Sequence, residues 1–190
     1  MNKLNEFPKN IYHGSYCVVE EPDLSKCNDG KDFGKGFYLT SDKKQAEKFA
    51  KRVAIKHKTS CGYVSIFEVV DIGDVLKIHE FVGTTEDWFK CVVGNRNLTC
   101  RNLAEKWKNM DVLIGKIADD HTDLIINAYF ASAYGEVGSE KAMKTAIDNF
   151  LTAKLNDQFC FKTNESLKAI RFVGSFKVDL WQRNKKNIAC

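Results

Sequence analysis

Proline is nearly absent, with only Pro8 and Pro22, and the chain has no Pro/Gly/Ser-rich linker, internal repeat or low-complexity tract. Nothing therefore divides its 190 residues, and a single domain spanning 1–190 is expected. No window approaches the roughly 18 consecutive apolar residues of a membrane span. The opening MNKLNEFPKN lacks the apolar centre of an export signal, so a cytoplasmic protein with no membrane partner is expected. The seven cysteines (17, 27, 61, 91, 100, 160 and 190) include no C-x-x-C pair, which argues against a disulfide framework and against a zinc ribbon or finger. His57 and Cys61, four apart, supply half a zinc site at most, and a surface or packing role is the expectation. Charge of one sign is also missing: 29 Lys and Arg stand against 25 Asp and Glu, for a net +4 spread along the chain. The short basic tail of Arg183, Lys185 and Lys186 reads as a solvated terminus, so charge selects no nucleic-acid partner. The oligomeric state is left open.

Three nucleotide signatures are lacking as well. GKGFYL has no third glycine at dinucleotide-fold spacing, and no G-x-x-x-x-G-K-[ST] phosphate loop occurs. The triplet DFG at 32–34 stands without the HRD loop or V-A-I-K lysine of a protein kinase. No G-x-S-x-G elbow points to a hydrolase serine.

The sequence does contain an ordinary globular balance, 44% hydrophobic and 28% charged, and a chain of this length can bury roughly 70% of its unfolded surface. IYHGS and GFYLT read as strands; Ser41 or Asp42 then caps a helix whose Ala46, Phe49, Ala50 and Val53 share one apolar face. YVSIFEVV (63–70) is a strand, and VLKIHEF (75–81) is a second element. Thr84 or Thr85 starts a helix with a stripe of Trp88, Phe89, Val92 and Val93, closed by Gly94. DVLIGKIADD runs from an apolar stretch into a turn with paired carboxylates, and TDLIINAYFASAYG is expected to be helical. Ser139 caps a further helix along Ala142, Ala146, Ile147, Phe150, Leu151 and Leu155; QFCFKT and AIRFVGSFKVDL are the last strands. Without regular βαβ alternation, this order predicts an α+β fold with a mainly antiparallel or mixed sheet.

In DFGKGFYLT (32–40), Gly34 and Gly36 permit positive φ and close approach directly before the stiff strand of Phe37, Tyr38 and Leu39. The segment suits either a lip that places a ring against a flat ligand or a tight turn with a core tyrosine. Read jointly with YHGS (12–15) and the capped helix SDKKQAEKFAKR, it resembles the ADP-ribosyltransferase superfamily, in particular its H-Y-E class. The wider set of YHGS, DFGKGFYLT, A-x-x-x-A-x-R, DWFKCVVGNR, IGKIADD and QFCFKT resembles a bacterial family catalogued as domain of unknown function 3990, over residues 11 to about 172.

The resemblance implies a split mixed or antiparallel sheet with flanking helices, and NAD as substrate. It implies that His13 bonds a ribose hydroxyl, that the Gly14 backbone binds the nicotinamide amide, and that Tyr38 stacks on the ring. Gly34, Gly36 and Phe37 would line the same wall, with Ser15 and Thr40 as polar support. Taken alone, His13 could equally be a satisfied structural residue. The glutamate of the class falls at Gln158, a departure, because an amide carries no net charge to offset an oxocarbenium ion. Adjacent Asp157 points to the other face of an extended strand. Asp119 and Asp120 are candidates for a base acting on an acceptor hydroxyl or water, or for a helix N-terminus. Arg96 either pairs with a pyrophosphate or ends a helix in solvent. The expected activity is transfer of ADP-ribose from NAD to an acceptor that the sequence leaves open among protein, nucleic acid and small molecule. The alternatives are a weak or inactive NAD- or nucleotide-binding module, an NAD glycohydrolase, or phosphate transfer from RNA to NAD.

Overall fold

Seven extended segments pair into one sheet: β1 (Ile11–Ser15), β2 (Phe37–Thr40), β3 (Cys61–Val69), β4 (Ile78–Glu80), β5 (Val112–Lys116), β6 (Asp157–Phe161) and β7 (Ile170–Asp179). The computed structural model describes residues 7–70, 75–117, 120–150 and 155–180, with the backbone alone at 120 and 121. The strand order is β4-β5-β6-β2-β1-β3-β7. β4 and β5 run parallel and every other neighbouring pair is antiparallel, so the fold is α+β with a mixed sheet. The two central strands barely meet: β1 and β2 share one register position, Tyr12 opposite Thr40. By contrast, β1 pairs with β3 along its whole length, as β2 does with β6.

The helices are α1 (Lys43–Lys56), α2 (Glu86–Arg96), α3 (Asp120–Phe130), α4 (Glu140–Phe150) and the short α5 (Asn164–Leu167), with 3₁₀ turns at Leu24–Lys26 and Leu98–Trp107. Asp42 caps α1, its Oδ1 accepting from the amides of Lys44 (2.8 Å) and Gln45 (3.3 Å). Thr85 caps α2 through the Trp88 amide. The buried stripe of α1 is Ala46, Ala50 and Ala54, narrower than the predicted face. Small residues here let the helix sit directly on the sheet: a Cβ at Gly14 would lie 2.2 Å from the Ala46 carbonyl oxygen, and one at Gly62 would lie 2.6 Å from that of Ala50. Because the obstacle is backbone, Gly62→Ala is expected to lower the unfolding free energy by about 1–3 kcal/mol, read as an earlier urea midpoint with an unchanged slope.

α1 and the α2–α4 group cover the same face of the sheet. Ala46 and Ala50 pack with Val64 and Val178 at one end. Trp88, Phe89, Val92, Ile126, Tyr129, Ala146 and Phe150 pack with Leu113 and Cys160 at the other. The opposite face buries Ile11, Phe37, Leu39, Phe67, Phe159 and Phe161, with Phe7, Val19 and Leu24 packed against them.

Some sequence expectations are corrected. Gly94 does not close α2, which continues to Arg96; its missing side chain admits Ala104, whose amide nitrogen would be 2.6 Å from a Cβ there. His57 caps the end of α1 and stacks on Tyr16 (4.0 Å between ring centres), whereas Cys61 begins β3, so the two share no helical face. The apolar stretch VLIGK is a strand, β5. Leu151 and Asp119 lie outside the described residues. Among the described residues, no helix is long and apolar enough to cross a membrane, and no group of three metal-ligating side chains occurs.

Candidate functional site

Where β1 and β2 part lies a cleft of about 1370 Å³, lined by residues from both faces of the sheet and above the ~300–1,000 Å³ usual for small-molecule pockets. His13, Gly14, Ser15, Gly36, Phe37, Tyr38, Thr40, Arg96 and Gln158 all line it. Its other walls come from the connection after β1, from Gln45, Phe49 and Arg52 of α1, and from Asp123, Ile126 and Asn127 of α3. Gly34 lies outside the lining.

Register determines how the two strands present their side chains. With Tyr12 opposite Thr40, alternation sends Tyr38 toward the helices and His13 toward Phe37, whose ring it meets at 4.3 Å. His13 and Tyr38 thus leave the sheet on opposite faces and are joined through the backbone, the His13 Nδ1–H donating to the Tyr38 carbonyl at 2.7 Å. That bond fixes the tautomer, and Nε2 keeps its lone pair. Desolvation holds the His13 pKa below the ordinary histidine value, against the smaller upward pull of the carbonyl, so the ring is a neutral acceptor at pH 7.

Tyr38 is anchored at both ends. Its hydroxyl donates to the Gly34 carbonyl (2.7 Å) and accepts from the Phe33 amide (3.0 Å). Gly34 has φ +82°, a left-handed conformation that closes this turn. Gly36 serves close approach, since a Cβ there would lie 2.5 Å from the Cys160 sulfur. Burial pushes the Tyr38 phenol well above its usual pKa, with further repulsion from Cys160 and Asp32, so it remains a donor. The tight-turn reading of DFGKGFYLT holds, with the tyrosine hydroxyl closing the turn, and Tyr38 is also among the residues that line the cleft.

Thr40 is mainly structural. Its hydroxyl donates to the Asp157 carbonyl (2.9 Å) and accepts from the Asp42 amide (3.1 Å), linking β6 to the start of α1. Asp157 faces away from Gln158 and pairs with Lys116 at 2.8 Å. Asp120 is the first residue of α3. Phe49, expected in the core, is 37% exposed and lies in the cleft wall, with the Arg52 guanidinium 4.8 Å from its ring centre.

A polar network connects the remaining candidates, and one of its members was not foreseen. Asp32 is only 7% exposed, and its Oδ2 accepts from Gln158 Nε2 at 2.8 Å. Its Oδ1 accepts from Arg96 through Nε (2.8 Å) and a terminal nitrogen (2.5 Å). Arg96 also pairs with Asp123. The Arg96 fork is thus engaged by two carboxylates at the cleft wall rather than ending the helix in free solvent. Gln158, 5% exposed, gives its second amide hydrogen to the Lys116 carbonyl (3.0 Å), leaving Oε1 as the atom it can offer a ligand. The same carbonyl accepts the indole N–H of Trp88 at 2.9 Å. Asp32 belongs to the DFG triplet, and 126 residues separate it from Gln158, so only the folded chain brings them together.

Comparison with known proteins gives one match. A family model described as protein of unknown function (DUF3990) covers residues 10–172. No curated protein and no solved structure matches the chain.

Proposed function

The chain belongs to the DUF3990 family, whose function is unknown, and from its cleft we propose that it is an NAD-dependent ADP-ribosyltransferase. The observation that carries this reading is that His13, Gly14, Tyr38 and Gln158, distant in sequence, line one cleft where the central strands separate. In the proposed reaction the bond between the nicotinamide nitrogen and the ribosyl C1′ breaks, and nicotinamide leaves neutral with the bonding pair. The acceptor oxygen or nitrogen then bonds C1′ and releases its proton to a base or to water. His13 Nε2 accepts from a ribose hydroxyl, the Gly14 backbone holds the amide, Tyr38 offers a ring face, and Gln158 Oε1 accepts from the nicotinamide-ribose 2′-hydroxyl.

Incubation of the pure protein with labelled NAD and a cell lysate is expected to release nicotinamide and to label an acceptor. Absence of both would overturn the reading. The uncharged Gln158 favours a second reading, a module that binds NAD without consuming it. Calorimetry distinguishes the two: binding heat with NAD recovered intact supports the module, and water as sole acceptor identifies a glycohydrolase.

A further inference from the structure

We propose that Asp32 supplies, through Gln158, the negative charge that a glutamate at position 158 would have placed beside the ribosyl cation; this rests on the transferase reading above. Three observations support it. Asp32 is buried, and its carboxylate bonds the Gln158 amide directly at 2.8 Å. An N–H donated to a carboxylate pushes electron density onto the amide oxygen, and such polarisation strengthens the next hydrogen bond by about 10–30%. That oxygen is the end of Gln158 left for a ligand, since both amide hydrogens are used, by Asp32 and by Lys116. The Arg96 contacts hold the carboxylate in place and, with Asp123 on the far side of the guanidinium, this group of three charged side chains sums to one negative charge.

Asp32 is on this account a positioning and polarising residue, not one that touches substrate. Its role separates charge from contact. A glutamate combines both in one side chain, whereas here Gln158 makes the contact and Asp32 carries the charge. The arrangement also predicts that a carboxylate is tolerated at either position but not at both, because two facing carboxylates repel and one takes up a proton.

The test measures nicotinamide release by the wild type, Asp32→Asn, Gln158→Glu and the exchanged pair Asp32→Asn with Gln158→Glu, each with its melting temperature. Asp32→Asn is expected to lose about 10²-fold in kcat with KM changed by less than about threefold, the pattern of a lost transition-state interaction. The exchanged pair is expected to recover kcat to the wild-type level or above, which restoration of a merely structural contact would not achieve. An Asp32→Asn enzyme equal to wild type, or a loss that the exchanged pair does not reverse, overturns the inference and leaves the transferase reading intact. A silent wild type with an active Gln158→Glu does the same. Silence of both overturns the transferase reading and the inference with it. Should Asp32→Asn unfold at the assay temperature, the exchanged pair decides alone, since it keeps one carboxylate and one amide in the contact between positions 32 and 158 and leaves Arg96 its Asp123 partner. There, a tenfold or greater loss against wild type overturns the proposal.

Discussion

Trp88→Ala is expected to lower the unfolding free energy by about 3–5 kcal/mol, and the melting temperature by on the order of 10 °C. Trp88 is fully buried on α2, meets Phe150 edge-on at 5.5 Å, and donates its indole N–H to the Lys116 carbonyl. Truncation leaves a cavity amid large rings that are themselves pinned, so the site cannot collapse to fill it. The loss also reaches the cleft, because the Lys116 carbonyl is shared with Gln158. Trp88→Phe separates the two effects: it retains most of the volume while removing the N–H. It is expected to cost about 1–2 kcal/mol and, on the proposed reading, to weaken NAD binding more than its stability loss alone would. Guanidinium unfolding and calorimetric titration on the two variants check both parts; a Trp88→Ala cost below 1 kcal/mol would show that α2 is not anchored through this ring.

The second large effect is expected at Tyr38. Tyr38→Phe leaves the buried Phe33 amide and Gly34 carbonyl without their partner, at about 1–3 kcal/mol for each group that finds no water, so a total of about 2–4 kcal/mol is expected. On the proposed reading the ring face remains, so NAD affinity should fall chiefly through loosening of the 33–36 turn, and Tyr38→Ala should abolish it. The hydroxyl also predicts a pH dependence. A phenol whose folded pKa is raised binds its proton more tightly in the folded state, so its contribution is complete below the unfolded value near 10 and is lost as pH climbs beyond it. The buried thiols of Cys91 and Cys160, both pushed up to about 12 by desolvation, act in the same direction from about pH 9. Wild-type stability should therefore decline on the alkaline side, and Tyr38→Phe should show the shallower decline above pH 10. Parallel curves for the two proteins would remove Tyr38 from the effect.

How much of this could be read from sequence depended on whether the signal was local. The start of α1 was legible because a cap is a two- or three-residue event, and Asp42 and the first buried alanine, Ala46, sit within about one turn of it. GFYLT and QFCFK were legible as strands from their aromatic and β-prone content. VLIGK was legible only as an apolar stretch leading into a turn, since so short a run carries no period that identifies a strand. Phe49 was assigned inward by periodicity, but periodicity registers a face and not what lies opposite it, which here is the cleft. The contact between Asp32 and Gln158 left no trace in any window, because four sheet strands and four α-helices intervene between them in the chain and only strand order brings them together. A carboxylate in a triplet that matches nothing else nearby was the one available hint. Its neighbours explain themselves structurally, Phe33 as core and Gly34 as the turn, while a buried acid needs a partner.

The lone Tyr12–Thr40 pairing has a mechanical meaning. The sheet is two laddered panels, β4-β5-β6-β2 and β1-β3-β7, joined along a seam by one backbone register pair, by the His13 bond to Tyr38, and on one face by the Phe37 ring against His13 and Phe67. Strain applied across the molecule concentrates at that seam, so a guest wedged there changes the gape between panels at little cost to either. Amide exchange should accordingly be slow within each panel and fastest along the edges that face one another.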